Sequence, residues 1–162
     1  SSLRTIYIPR LTQIGNNDLG ELSQCYEIVV DRDNRYYTVV QGALYDYNVT
    51  TLLRVPCGLK GEIVVPKGTT RVSNYACYKC DGITSVYLPN SVNYIGSYAF
   101  SYCRNLNAVD MPENCNEMGR GVFKASGITR LDLPDGIPAI AEEMLFASLY
   151  DGFSMNFIIG YL

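Results

Sequence analysis

Short triplets with apolar residues at both outer positions return along the chain at a nearly constant interval. They are Ile6-Tyr7-Ile8, Ile28-Val29-Val30, Ile63-Val64-Val65, Val86-Tyr87-Leu88, Val109-Asp110-Met111 and Leu131-Asp132-Leu133, with a weaker seventh at Phe153-Ser154-Met155. Their third residues are spaced 22, 35, 23, 23, 22 and 22 positions apart. Side chains of a strand alternate between its two faces, so the outer pair of each triplet is predicted to enter a core and the middle residue to face solvent. Stacked in parallel, successive copies lie roughly 4.8 Å apart.

Other columns keep the same period. Pro66, Pro89 and Pro112 are 23 residues apart and Pro134 follows 22 later; Cys80 and Cys103, and Phe100 and Phe123, are also 23 apart. Val72, Ile95, Met118 and Ile140 form a further column. Self-similarity at 20–30 residues is the mark of a solenoid, in which each unit buries its apolar face against its neighbours. The first unit is degenerate. An offset of 58 aligns Ile14, Leu19, Leu22, Cys25, Ile28 and Val30 with Val72, Cys77, Cys80, Ile83, Val86 and Leu88.

One unit reads Cys80-x-x-Ile83-x-x-Val86-x-Leu88-Pro89, then Val92, Ile95-Gly96, Ala99-Phe100 and Cys103, where the next begins. This resembles a leucine-rich repeat, specifically the 23-residue BspA-like class, over nearly the whole chain. The resemblance implies a mainly β fold with short helical turns, a right-handed leucine-rich-repeat solenoid carrying one β-hairpin insert. It also implies a secreted or surface-attached protein that binds other proteins without catalysis.

The single 35-residue interval holds the insert, about residues 31–61. Asp31-Arg32-Asp33-Asn34 is a polar turn cluster, and β-rich segments at 36–40, 43–45 and 51–55 follow, broken by Gly42 and by Asp46-Tyr47-Asn48. Its expected place is the convex side or an edge of the solenoid. Short helical turns are predicted at 98–102 and 121–124, and a short helix over 141–148, where Ala, Glu, Met and Leu are good helix formers. Residues 1–162 form a single domain. Neither end has the polar covering unit that a solenoid terminus needs. The chain is therefore expected to be part of a longer array, beginning after processing or as an excised piece.

Composition narrows the function. The chain is 48% hydrophobic with a net charge of −3, which argues against nucleic acid, whose phosphates are held by Lys and Arg. No apolar run approaches the ~20 residues of a membrane-spanning helix. There is no His for acid–base chemistry near neutral pH, no recognisable nucleotide or nucleophile motif, and Glu142-Glu143 point different ways on a helix. No enzyme activity and no cofactor are expected.

Cys77-Tyr78-Lys79-Cys80 has the spacing of half a zinc site, but two further ligands are needed. The repeat accounts for the pair without metal: Cys77 takes the column of Phe100 and Phe123, Cys80 that of Cys103. Buried thiols are therefore expected at Cys25, Cys77, Cys80 and Cys103, with a Cys80–Cys103 disulfide as the alternative, since adjacent coils bring Cα atoms near the permitted separation. Asp31-x-Asp33-Asn34 resembles the start of a calcium loop but lacks its Gly and closing Glu, so a solvated turn is expected. Asn48-Val49-Thr50 is a glycosylation sequon, which has meaning only in a eukaryotic secretory pathway.

The candidate binding surface is the outward column Tyr7, Val29, Val64, Tyr87, Asp110, Asp132, continuing to Ser154 and flanked by Arg130. Repeat proteins commonly bind along the face that their stacked strands create. Strand propensity alone places Val and Tyr on exposed strands, yet an aligned apolar column marks an interaction patch. The expected partner is a host, matrix or neighbouring-cell protein that buries Tyr87 and brings basic groups to Asp110 and Asp132. A glycan partner, or a spacer role within a larger surface protein, is the alternative.

Overall fold

The computed structural model describes residues 5–15, 25–128 and 131–134. The strand-like triplets at 63–65, 86–88 and 109–111 fall in or beside three parallel strands, β6 (Gly61–Val64), β8 (Ile83–Tyr87) and β10 (Ala108–Asp110). Their register places Ile63 against Val86 against Val109, and Val64 against Tyr87 against Asp110. The alternation holds in all six described copies: the middle residue is exposed and the outer two are buried or half-buried.

A proline turn carries each coil out of this sheet. The carbonyls of Pro66, Pro89 and Pro112 accept the N–H of Thr69, Val92 and Cys115 at 3.2, 2.9 and 3.0 Å. Proline is the first residue of each turn, and the fourth is fully buried. The chain then forms a second row of parallel two-residue strands, β7 (Arg71–Val72), β9 (Tyr94–Ile95) and β11 (Glu117–Met118).

The return path is not helical, and among the described residues there is no helix. Where helical turns were expected, Tyr98, Tyr102, Gly121 and Ala125 have φ between 53° and 61°, as do Tyr75 and Lys79 one coil earlier at 58° and 61°. A left-handed residue at every fourth position stops a right-handed helix. The backbone donors turn to the neighbouring coil instead: Tyr98, Phe100 and Tyr102 donate to the carbonyls of Arg120, Val122 and Lys124 at 2.9, 2.9 and 2.7 Å. The helix expected at 141–148, the strand at 153–155, and Arg130 and Ser154 lie outside the described residues. Leu131-Asp132-Leu133 is described and is not a strand.

The insert differs from expectation in its position. Strands β3 (Tyr37–Val40), β4 (Ala43–Asp46) and β5 (Thr51–Arg54) form an antiparallel meander. Its first turn, Gln41-Gly42, has φ of 50° and 82°, the positive pair that a tight two-residue hairpin requires. Strand β5 then pairs in parallel with β7, so the meander extends the second row into one six-stranded sheet. Ala43, Leu44 and Tyr45 are all buried. Leu44 packs with Ile8, Cys25, Ile28 and Tyr37, while Ala43 and Tyr45 join the main core. Three consecutive apolar residues leave β4 no polar face for solvent, so it sits between two cores rather than on the convex side or at an edge.

The N-terminal strands belong to neither of these sheets. Strands β1 (Thr5–Ile8) and β2 (Glu27–Val30) pair in parallel, with Tyr7 against Val29, as a two-stranded sheet of their own. Asn34, in the polar turn after β2, is buried and satisfied on both sides. Its Nδ2 donates to the carbonyls of Pro9 (2.8 Å) and Thr12 (3.3 Å), and its Oδ1 accepts from the N–H groups of Tyr36 and Tyr37. The turn cluster is thus a clamp between the first coil and the meander.

The thiols expected to be buried are buried. Cys80 donates to the Val55 carbonyl at 3.2 Å and Cys103 to the Cys77 carbonyl at 2.8 Å. Each weak S–H donor meets a carbonyl of the preceding coil, a role that a plain hydrophobe cannot fill.

Candidate binding face

The outward column exists, but in two parts. Val64, Tyr87 and Asp110 are adjacent on the β6–β8–β10 sheet, whereas Tyr7 and Val29 are adjacent on β1–β2. Strands β2 and β6 belong to different sheets, so the expected run of four apolar rungs is interrupted between Val29 and Val64.

Val64 and Tyr87 keep 43% and 41% of their surface exposed, enough to present a contiguous apolar patch on a sheet otherwise edged by polar groups. Beside them runs the row Glu62–Ser85–Ala108, with Thr84 and Asn107 exposed. Asp110 closes the patch with a carboxylate, and the exposed Asp132 follows outside any strand. On the other part, the Tyr7 hydroxyl donates to Asp31 Oδ2 at 2.7 Å. That bond raises the Tyr7 phenol above its ordinary value and lowers the Asp31 carboxyl below its own. Asp31 Oδ1 meanwhile accepts the Asp33 N–H, so the carboxylate that would open a calcium loop is engaged within its own turn. Among the described residues no group of three or more His, Cys, Asp or Glu side chains is placed to hold a metal.

A second aromatic array lies on the return path, which sequence reading missed. Tyr75 stacks on Tyr98 with centroids 5.4 Å apart and planes 12° from parallel, and Tyr78 meets Tyr75 and Tyr102 edge-on at 5.4 and 5.6 Å. The 23-residue spacing of Tyr75 and Tyr98 was its sequence signal. A separate polar cleft of about 350 Å³ is lined by Asp46, Thr51, Leu53, Arg71, Ser73, Asn74 and Tyr94. Here the Arg71 guanidinium covers the Tyr94 ring at 4.0 Å. These rings are thus engaged with one another or with a cation, while Tyr87 has no such ring contact among the described residues.

The comparisons agree with this architecture. The family model described as BspA type leucine rich repeat region matches residues 56–151 with six copies. The chain belongs to this BspA-type leucine-rich-repeat family. Among solved structures, it is similar to a leucine rich cell surface protein from Faecalibacterium prausnitzii, at 29% identity and TM-score 0.77 over 84% of this chain and 37% of that one. It shares its fold with the pneumococcal vaccine antigen PcpA, at 21% identity and TM-score 0.77 over 83% of this chain and 34% of that one. A leucine-rich repeat protein from Eubacterium ventriosum aligns at 18% identity and TM-score 0.79, over 91% of this chain and 47% of that one. The chain thus spans between a third and a half of the length of these structures. No curated protein matches it.

Proposed function

We propose that the chain is a non-catalytic binding module of a secreted or surface-attached protein, and that it engages a protein partner through the β6–β8–β10 face. The observation that carries this reading is the adjacency of Val64 and Tyr87, both exposed and in register with Asp110. An exposed apolar pair bordered by carboxylates fits a partner with an apolar pocket rimmed by Lys or Arg, because a hot spot needs a desolvated anchor and charge complementarity guides approach. The surface location is supported by the cell surface protein to which the chain is similar. The partial coverage of the neighbours supports a place within a longer array. A protein partner is favoured over a glycan because the exposed Val64–Tyr87 pair is bordered by the Asp110 carboxylate, an arrangement suited to an apolar pocket with basic groups at its rim.

The test is a binding screen of the chain against extracellular matrix proteins, host-cell surface proteins and glycans, repeated with variants. Tyr87→Ala is expected to weaken binding by about 2 kcal/mol, roughly thirtyfold, as loss of a buried aromatic anchor does. Asp110→Asn with Asp132→Asn is expected to flatten the salt dependence of association while changing the dissociation rate little. Wild-type binding by both folded variants would move the site off this face. Selective binding to glycans would support the alternative.

A further inference from the structure

Strands β5, β7 and β9 present a second outward face, on the sheet where the meander joins the coils. Thr51, Arg71 and Tyr94 stand side by side on it, because the register pairs Thr51 with Arg71 and Arg71 with Tyr94. Their neighbours Leu52, Val72 and Ile95 are fully buried, so strand alternation turns this rung outward. Leu53 and Ser73 continue the face two residues further along, where the Ser73 N–H donates to the Leu52 carbonyl at 2.9 Å. Asp46, from the end of β4, and Asn74, just past β7, complete the lining of the cleft of about 350 Å³. Ligand sites run from ~300 to ~1,000 Å³, so this one is sized for a single small ligand. Leu53 is its one aliphatic wall, and the rest of the lining carries polar groups.

Two opposite charges line the cleft without meeting. The Arg71 guanidinium rests over the Tyr94 ring, 4.0 Å from its centroid, and among the described residues no carboxylate forms an ion pair with it. A guanidinium held on a ring keeps its planar fork of N–H donors for another partner, and the ring lowers the entropy lost when that partner binds. Asp46 is held by its own turn: Oδ2 accepts the Thr50 hydroxyl at 2.7 Å and Oδ1 the Thr51 N–H at 2.5 Å. Each of its oxygens has a further lone pair for a ligand hydroxyl. Asn74 Oδ1 accepts the Ser97 N–H at 2.8 Å, which orients the amide and leaves Nδ2 to donate elsewhere.

We propose that this cleft binds an acidic sugar, a uronate or sialate residue of a glycan, with its carboxylate on Arg71 and its hydroxyls on Asp46, Ser73 and Asn74. The guanidinium fork matches a carboxylate in two parallel hydrogen bonds, the strong and geometrically selective kind. Asp46 repels a carboxylate and accepts hydroxyls, so it sets which end of the ligand meets Arg71. The same repulsion disfavours a multiply charged phosphate, which a single cation would not hold. A neutral sugar would use neither the guanidinium charge nor an open ring, because Arg71 already covers Tyr94. The site lies on a different sheet from Val64 and Tyr87, so it does not depend on the protein partner assigned to that face.

The test is a titration of the folded chain with monosaccharides, followed by ligand-observed NMR and by calorimetry. D-Glucuronate and N-acetylneuraminate are the probes; D-glucose, acetate and L-glutamate are the controls. At least one sugar acid is expected to bind saturably and at least about tenfold more tightly than any control. The ratio of the two acids distinguishes a uronate source from a sialate source, and either supports the proposal. Equal binding of glucose would remove the carboxylate from the recognition, equal binding of acetate would reduce the cleft to a simple anion site, and tighter binding of glutamate would make the occupant an amino acid. Each of these overturns the proposal, as does the absence of saturable binding by both acids. Arg71→Gln, at an exposed position, should weaken binding by about tenfold or more, since it removes a charge-assisted pair. Asn74→Asp keeps the acceptor for the Ser97 N–H, replaces the donor with a carboxylate, and should also weaken it. Wild-type affinity in folded Arg71→Gln overturns the proposal; if that variant does not fold, Arg71→Lys, which keeps the charge and loses the fork, decides by the same criterion. Tyr87→Ala should leave this affinity unchanged, and a loss there would move the sugar to the β6–β8–β10 face and overturn the assignment to the cleft.

Discussion

Phe100→Ala is expected to destabilise the chain by about 3–5 kcal/mol, the usual cost of truncating a fully buried aromatic side chain. Phe100 has no exposed surface and stacks on Phe123 of the next coil, centroids 5.5 Å apart and planes 10° from parallel. In the preceding coil the same column is filled by Cys77, also fully buried. Three coils therefore contribute to one column of buried side chains, with Phe100 at its centre. Collapse around the cavity is limited because the backbone is tied to the next coil by the 98→120, 100→122 and 102→124 hydrogen bonds and to the preceding one by 75→97, 77→99 and 79→101. Urea unfolding checks this: the midpoint should fall with little change in slope. A loss below about 1 kcal/mol would mean that the coils can close over the gap after all.

Gly96→Ala is expected to cost roughly 3 kcal/mol, near the upper end of what overpacking costs. Here the glycine is needed for close approach. A Cβ on Gly96 would lie 2.4 Å from the Asn74 backbone nitrogen, 2.6 Å from Asn74 Oδ1 and 2.6 Å from the Ser73 carbonyl carbon. Gly119 stands in the same relation to Ser97, with its Cβ 2.3 Å from the Ser97 nitrogen. Relief requires the coils to separate, which strains the bond from Gly96 N–H to the Val72 carbonyl at 2.8 Å and that from Ser97 N–H to Asn74 Oδ1 at 2.8 Å. Gly68→Ala is the control: its Cβ would meet nothing within 4 Å, but φ is +95°. It should lose only the conformational cost of about 1–2 kcal/mol. Equal losses at the two sites in urea unfolding would remove steric approach as the explanation for Gly96.

Much of the architecture was legible because each coil repeats the same physical problem. The alternation of Val86, Tyr87 and Leu88 states which side chains enter the core, and the interval of 23 states which residues become neighbours. The exposed positions of Tyr7, Val29, Val64, Tyr87, Asp110 and Asp132 follow from that alternation alone. The return path was less legible. Tyr98 and Tyr102 carry no sign in the sequence that they adopt positive φ, since left-handed backbone there is imposed by hydrogen bonds to the next coil. The burial of Arg54 was hidden for a related reason: it reads as an ordinary surface cation until β5 is seen to be covered on both sides.

By itself, the sequence determined the solenoid, its period, the inward and outward columns and the buried thiols, because period and alternation are local properties that stacking only repeats. The tertiary structure decided where the meander goes, and that the outward column is divided between Val29 and Val64. It also decided that Arg54 is enclosed, with its guanidinium donating to the Tyr75 and Tyr78 carbonyls. These outcomes depend on which surfaces cover β4 and β5. That is settled by the apolar demand of Ala43-Leu44-Tyr45 on two separate cores, a competition among distant residues that no single repeat contains.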